Sequence, residues 1–359
     1  MASATLKTPR GAPDLRALDG FLESAGDFDV SGHRMVHGGT RFRTSVLVDD
    51  EVRQAMDAAG DLAPLHNTNG LAALDRVRAL RPDRPAVVCF DTAFHTTLTP
   101  AASLYALPRR WVERFGLRRY GFHGLSHSYA STRAAQMVGR RTDELRTVTC
   151  HLGAGASLTA VERGLSVDTT MGFTPNDGLV MATRSGSVDP SAILWLARQG
   201  ELSPGMIEHD LSRNSGLLGL SGLSGEMQTI LDAASNGHEG ASTALDVYLH
   251  RLRAGIAAMA TAMQGLDVLA FTGGVGENAA PVRERCCRGL EFLGVHLDRQ
   301  GNASAEPDAD LTAEAGDVRV LVVKAREDLA IVRAVEAVAG EGSLDGAPPE
   351  SRGSSPAGG

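Results

Sequence analysis

Two arginines sit in unusual company. Arg34, in His33-Arg34-Met35-Val36-His37-Gly38-Gly39, and Arg184, in Thr183-Arg184-Ser185-Gly186-Ser187, stand among glycine, serine and histidine. A guanidinium in such a joint is free to grip a carboxylate or phosphate bidentately, whereas an arginine on a helix face simply meets water. Two carboxylates are placed to complement them. Asp91 ends the apolar run Pro85 to Phe90, and Glu327 follows the run Val318 to Val323. The carboxyl end of a buried strand is where α/β proteins commonly hold Mg²⁺ or a reacting group, and a helix cap is the plainer reading of both.

Histidine pairs at four-residue spacing, His33/His37 and His123/His127, raise the question of zinc. A pair of that kind must share one helix face, and Gly38-Gly39, Gly121 and Gly124 argue against helix there. Glycine is informative in two further places. Thr147 to Leu152 and Ser157 to Glu162 read as strands joined by Gly153-Ala154-Gly155-Ala156, a turn whose backbone N–H groups can approach a polyphosphate because no large side chain intervenes. It can equally be only a turn, with His151 a core histidine. The joint Phe271-Thr272-Gly273-Gly274-Val275-Gly276-Glu277-Asn278 follows the strand Val268 to Thr272 and precedes a helix expected from about Ala280. Such a joint lets a nucleotide lie on the backbone at a helix N-terminus, but its spacing is neither the Rossmann fingerprint nor a Walker A loop.

The elements that must hold these groups follow from period and punctuation. Strands are expected at Pro85 to Phe90, Arg146 to Leu152, Ser157 to Glu162, Val268 to Thr272 and Val318 to Val323. Asp189 and Pro190 open a helix over Ser191 to Arg198, and Gly200 closes it. Leu245, Leu249, Leu252, Ile256, Met259 and Met263 recur at helical spacing within Ser242 to Gln264, a core stripe stopped by Gly265. Alternating strands and helices make this an α/β chain, and 359 residues at roughly 150 per domain suggest two domains. The segment Gly340 to Gly359 is Gly, Ser, Pro and Ala with few large apolar side chains and is expected to be disordered.

Composition narrows the partners. With 35 Lys+Arg against 43 Asp+Glu the net charge is −8, which disfavours nucleic acid and anionic membranes as partners. The N-terminus lacks the apolar run of a secretory signal, and the most apolar stretch, Ala254 to Met263, is too short to cross a bilayer, so a cytoplasmic location is expected. The four cysteines, Cys89, Cys150, Cys286 and Cys287, show no CxxC spacing and read as small core residues.

Taken together, the motifs resemble the acetokinase family, within the actin-like superfamily of acetate and sugar kinases. The segments that carry the resemblance are His33 to Phe42, Ala63 to Asn67, Phe90 to His95, Tyr120 to His127, Cys150 to Ser157, Met171 to Pro175, Thr183 to Pro190, Phe271 to Asn278 and Glu327 to Arg333, in family order. The resemblance implies a two-domain actin-like, ribonuclease H-like duplicated fold with an interdomain cleft. Residues 1–93 with 330–340 would form the first domain, 94–329 the second, and 341–359 a disordered tail. It also implies reversible, Mg²⁺-dependent phosphoryl transfer between ATP and acetate, giving ADP and acetyl phosphate, in a homodimer.

By the same resemblance Arg34 and Arg184 flank the acetate carboxylate and the moving phosphoryl group, and His123 donates to it in the transition state. Asp91, also counted catalytic, and Glu327 hold Mg²⁺ directly or through water. His66 and His151 line the phosphate path, Gly153 and Gly155 form the phosphate hairpin, and Gly273, Gly274 and Gly276 the adenosine-side loop. Val36, Leu65, Phe122 and Pro175 surround the acetate methyl. One methylene is discriminated only about 10–200-fold in such a pocket, so propionate is expected to be a poorer substrate rather than an excluded one.

Three departures bear on activity. The family opens with an N-x-G-S-S-S-x-K hairpin, and nothing in Met1 to Val30 is similar to it; Asp14 to Phe21 reads instead as the helix before the Arg34 segment. Ala154 and Arg326 stand where the family usually has Asn. On these grounds the first domain is expected to be incomplete and the chain unstable or impaired. A noncatalytic relic that still binds nucleotide, or a propionate or butyrate kinase, are the alternatives to an acetate kinase.

Overall fold

The structure, a computed structural model, describes residues 14–59 and 64–342. Two mixed sheets organise it. The first contains β1 (Ser31–Met35), β2 (Val46–Leu47) and β3 (Ala86–Phe90) in the order β1-β3-β2, with β1 parallel and β2 antiparallel to β3. All of β3 is buried because both faces are covered. Ala86, Val88 and Phe90 pack with Leu71 and Leu74 of the helix Pro64–Leu80, while Val87 and Cys89 meet Val335 of the last helix, Glu327–Gly342. Period two in β3 thus sorts one strand between two layers.

The second sheet is built from β4 (Arg146–Leu152), β5 (Ala156–Glu162), β6 (Leu165–Thr169), β7 (Val268–Thr272), β8 (Ala309–Asp310) and β9 (Arg319–Val322). Its order is β6-β5-β4-β7-β9-β8, an antiparallel meander continued by the parallel strands β7 and β9. One face receives the helix Glu239–Ala262 through Leu245, Leu249, Leu252 and Ile256, the stripe that its period predicts. The other receives the helix Gly124–Met137 through Tyr129, Ala130 and Ala134. That helix also touches Leu329 and Ala330 of the last helix, which therefore joins the two sheets.

Most boundaries follow local chemistry. Asp189 accepts from Ser191 N with Pro190 in the first turn of the helix Pro190–Arg198, and Asp14 caps the helix Leu15–Ala25 in the same way. Three expectations need correction. The Gly273–Asn278 segment is not a loop but a helical turn of its own, ahead of the helix Ala280–Arg288. A helix begins at Gly124, so His127 is helical and His123 its N-cap. The last helix extends to Gly342, past the expected start of the tail, because Val335 and Val338 still find the first sheet. Met1 to Pro13, the remainder of the tail, and the side chains of Leu65 and His66 lie outside the described residues.

Gly124 packs tightly against the end of β3. Its N–H donates to the Asp91 carbonyl at 2.9 Å, and a Cβ there would collide with that carbonyl and with Phe94. Gly124→Ala is expected to destabilise the chain by about 1–3 kcal/mol, the usual cost of overpacking, in urea unfolding; an unchanged midpoint would show that the contact yields freely.

Candidate active site

Parallel pairing of β1 with β3 places Arg34 opposite Cys89 and Met35 opposite Phe90. The next residue along β3 is Asp91, whose N–H donates to the Met35 carbonyl at 2.9 Å. Arg34 and Asp91 therefore arrive at one edge of the first sheet. The guanidinium donates from Nε and Nη2 to both Asp91 oxygens, at 2.9 and 2.7 Å. Its Nη1 lies 2.6 Å from Glu327 Oε2, on the first residue of the last helix. Asp91 is 1% exposed, Glu327 23% and Arg34 37%, so one half-exposed cation holds a buried and a half-buried carboxylate.

Burial works against the Arg34 charge, but the charge and hydrogen bonds of Asp91, with Glu327 behind them, hold it protonated more firmly than usual. Burial raises the Glu327 carboxyl above its ordinary range, with Arg34 pulling it down and Asp91 pushing it up. Arg326, beside it, is committed elsewhere: its Nη2 lies 2.8 Å from Asp328. The positive charge that this departure introduces is thus neutralised by its neighbour.

Across the crevice, His123 takes a left-handed backbone, φ 56°, at the start of its helix. The peptide before it is held by His95, whose Nε2 donates to the Phe122 carbonyl at 3.0 Å. The His123 ring stacks on His151 with centroids 4.3 Å apart, and its Nδ1 lies 2.9 Å from Ser157 Oγ. A methyl group on Gly155 would meet both His123 Nε2 and Arg184 Nη1 at 3.4 Å. Hairpin tip, imidazole and guanidinium border one space. The positive charges of Arg34 and Arg184 help to disfavour the charged form of His123, and that of Arg34 does the same at His151. Burial first, and Arg213 second, lower the Arg184 pKa, but an arginine stays cationic at ordinary pH.

The remaining candidates divide. Gly153 and Gly274 line one cavity of about 440 Å³, together with Ala154, Thr183, Met227 and Asn278, so the two glycine-rich joints face each other. Gly273 and Gly276 do not line it. A Cβ on Gly273, with φ 80°, would strike the Leu152 carbonyl, and Gly276 packs on Phe271. Phe122 is buried in the main core, Val36 packs against that core, and the Pro175 carbonyl accepts from Arg184 Nη1 at 3.1 Å.

Sequence reasoning missed the groups that hold the helical turn. Glu277 Oε1 accepts from Gly273 N at 3.1 Å and from Ala325 N at 2.9 Å, joining the turn to the segment that leads into Glu327. Arg283, 1% exposed, donates to the Gly276 and Glu277 carbonyls at 2.9 and 2.7 Å and to Asn302. Arg283 gave no signal, being one of three arginines in the helix Ala280–Arg288. The donor set suits Mg²⁺. Among the described residues no cluster of three or more His, Cys, Asp or Glu could cage a metal, but Mg²⁺ needs only one or two carboxylates when phosphates and water complete its shell. Asp91 and Glu327, already gathered on one cation, provide that pair.

Mixed sheets carrying helices on both faces, a glycine hairpin and a crevice of cations and carboxylates place the chain among phosphotransferases with the actin-like fold. A family model described as the acetokinase family matches residues 14–333, and the chain belongs to that family. It is 50% identical over 308 residues to an acetate kinase of Gloeobacter violaceus, covering 86% of this chain and 76% of that one. It is 44% identical over 323 residues to an acetate kinase of Dictyoglomus thermophilum, covering 90% and 81%. Among solved structures, Porphyromonas gingivalis acetate kinase superposes with a TM-score of 0.85 at 37% identity, over 90% of this chain and 84% of that one. A propionate kinase from Francisella tularensis superposes with 0.84 at 35% identity, over 89% and 82%.

The imidazoles carry a pH consequence. Burial pushes His37, His95 and His151 down to about 4, and holds His123 and His127 well below the ordinary 6.5, with neighbouring imidazoles adding to the shift in those two. Between about pH 6.5 and 4 the unfolded chain binds protons that the folded chain refuses, so stability falls as pH falls through that window. Each group contributes up to about 1.36 kcal/mol per pH unit. The melting temperature is expected to drop steadily from pH 7 to pH 5; a flat profile would mean that these rings are not held neutral.

Proposed function

We propose that this chain transfers the γ-phosphoryl group of ATP reversibly to acetate, giving ADP and acetyl phosphate. What supports the reading is the cluster of Arg34 with Asp91 and Glu327, the position of His123 and Arg184 about Gly155, and the glycine-lined cavity beside that hairpin. An acetate carboxylate is ionised at neutral pH, so attack on phosphorus requires no general base. The requirement is to bring an anion to a polyanion and hold it in line, which calls for cations and fixed donors. In this reading Arg34 and Arg184 grip the carboxylate and the transferring group, and a neutral His123 donates to a phosphoryl oxygen. Asp91 and Glu327 would hold Mg²⁺, which when bound neutralises charge on the nucleotide phosphates. The same two carboxylates orient the Arg34 guanidinium at the edge of the first sheet.

The adenosine side is assigned to the cavity between the hairpin and the helical turn, where Met227, Val275 and Ala279 provide apolar surface. Ala154 at its rim offers no side-chain donor, so backbone N–H groups carry the phosphate contacts. Val36, Phe122 and Pro175 are proposed around the acetate methyl, and the similarity to a propionate kinase supports propionate as a second, slower substrate. Two domains, 1–93 with 330–340 and 94–329, are supported by the packing of the last helix on the first sheet. A homodimer is supported by Val188, Leu194, Trp195 and Met206, apolar side chains 45–59% exposed on or beside the helices Pro190–Arg198 and Pro204–Arg213. Among the described residues no helix is long and apolar enough to cross a membrane, and the use of ATP supports a cytoplasmic setting.

A hydroxamate assay with acetate, propionate and butyrate tests the reading. Acetate is expected to give the highest kcat/KM, with propionate lower by about 10–200-fold. Arg184→Ala is expected to lower turnover at least 100-fold, as removal of a transition-state donor does, while ATP still binds. Nucleotide binding without turnover in the wild-type chain would instead identify a relic.

A further inference from the structure

His123 is one end of a buried hydrogen-bond chain that runs back into the second sheet. Its Nδ1 lies 2.9 Å from Ser157 Oγ, and the same oxygen lies 2.7 Å from His127 Nε2. His127 Nδ1 in turn lies 2.7 Å from Thr149 Oγ1. Ser157 on β5, Thr149 on β4 and His127 on the helix Gly124–Met137 are all fully buried. Water therefore does not interrupt the sequence of donors and acceptors.

Each hydroxyl carries one proton and each neutral imidazole one N–H; were both imidazoles to donate to Ser157 Oγ, the buried hydroxyl would have no other acceptor for its own proton, so the protons in such a chain point one way. In the outward arrangement Thr149 donates to His127 Nδ1, His127 Nε2 donates to Ser157, and Ser157 donates to His123 Nδ1. The His123 proton is then on Nε2, the nitrogen beside Gly155 and Arg184. In the inward arrangement every bond reverses and His123 Nε2 presents a bare lone pair. The inward arrangement requires Thr149 to donate to the Thr159 carbonyl, which lies at 3.4 Å, the far edge of hydrogen-bonding range, against 2.7 Å to His127. A phosphoryl group offers only acceptors, so the outward arrangement alone gives it a partner at Nε2.

We propose that Thr149, His127 and Ser157 form a directional hydrogen-bond chain that fixes the tautomer of His123 with its proton on Nε2, facing the crevice. Ser157 is thereby a positioning residue for phosphoryl transfer. Its use in catalysis rests on the kinase reading above, but the tautomer is a property of this chain alone. Burial holds both imidazoles neutral, so the choice between tautomers decides whether His123 donates or accepts.

The test is ¹⁵N NMR of the full chain labelled at histidine, with the His123 resonances assigned from the spectrum of His123→Gln. In the wild type Nε2 is expected to be protonated and Nδ1 bare. Ser157→Ala should convert His123 to a mixture of tautomers and lower kcat about tenfold, the equivalent of roughly 1.4 kcal/mol, with KM for ATP and acetate within about twofold. Ser157→Thr, which keeps the hydroxyl, should restore both. Should Ser157→Ala not fold, Thr149→Val carries the test, and the His127 and His123 tautomers are expected to shift together. A wild-type proton on Nδ1, or an unchanged His123 signature in the folded variants, overturns the chain. A tautomer change with undiminished kcat overturns the positioning role. If the wild type shows the expected tautomer but makes no acyl phosphate, the kinase reading fails and the chain stands.

Discussion

The guanidinium of Arg34 is where three separately built pieces of the molecule meet. It comes from β1, its bidentate partner Asp91 from the end of β3, and its third contact, Glu327, from the start of the last helix. Asp91 is almost wholly buried, and a buried carboxylate without a counter-charge would be costly. The pairing thus constrains both the parallel register of the first sheet and the placement of the helix that joins it to the second. Because Arg34 remains partly exposed toward the crevice, the interaction that holds these pieces together also keeps a cation available to an anion.

A second constraint lies in the histidines. Rings packed against one another and against two arginines cannot all be charged, and burial settles the matter by holding them neutral. A neutral imidazole retains one directed N–H and adds no further positive charge beside Arg184. Neutrality also makes the orientation of each ring depend on its second nitrogen. His95 shows the principle, with Nε2 on the Phe122 carbonyl and Nδ1 2.9 Å from Ser166 Oγ.

Much of the scaffold was legible because its signals are local. β4 and β7 begin and end at the residues where apolar, β-branched runs begin and end, and Asp189 caps its helix as its chemistry suggests. The Gly273–Asn278 turn was misread because glycines disfavour helix, and what overrides them is tertiary: Glu277 closes one end and the buried Arg283 the other. Arg34, Asp91 and Glu327 were each recognisable as candidates, but their meeting on one guanidinium depends on contacts across more than 50 residues of chain, between Arg34 and Asp91, that spacing does not express. Ser157 gave no sign at all. A serine in a strand looks like any other until the two imidazoles beside it are seen.

Glu277 ties two of these parts together. One carboxylate oxygen accepts from the first residue of the helical turn and from Ala325, two residues before Glu327. The wall of the glycine-lined cavity and the segment that carries a carboxylate of the Arg34 cluster are therefore tied through a single atom, and displacement of one must strain the other. In-line phosphoryl transfer tolerates little misplacement, since an error of about 1 Å can cost about 100-fold in rate. Arg283, Glu277 and His95 act on backbone, and Ser157 on two imidazole rings. The side chains proposed to meet the phosphoryl group are thus few, and most of the polar residues around them hold those few in register.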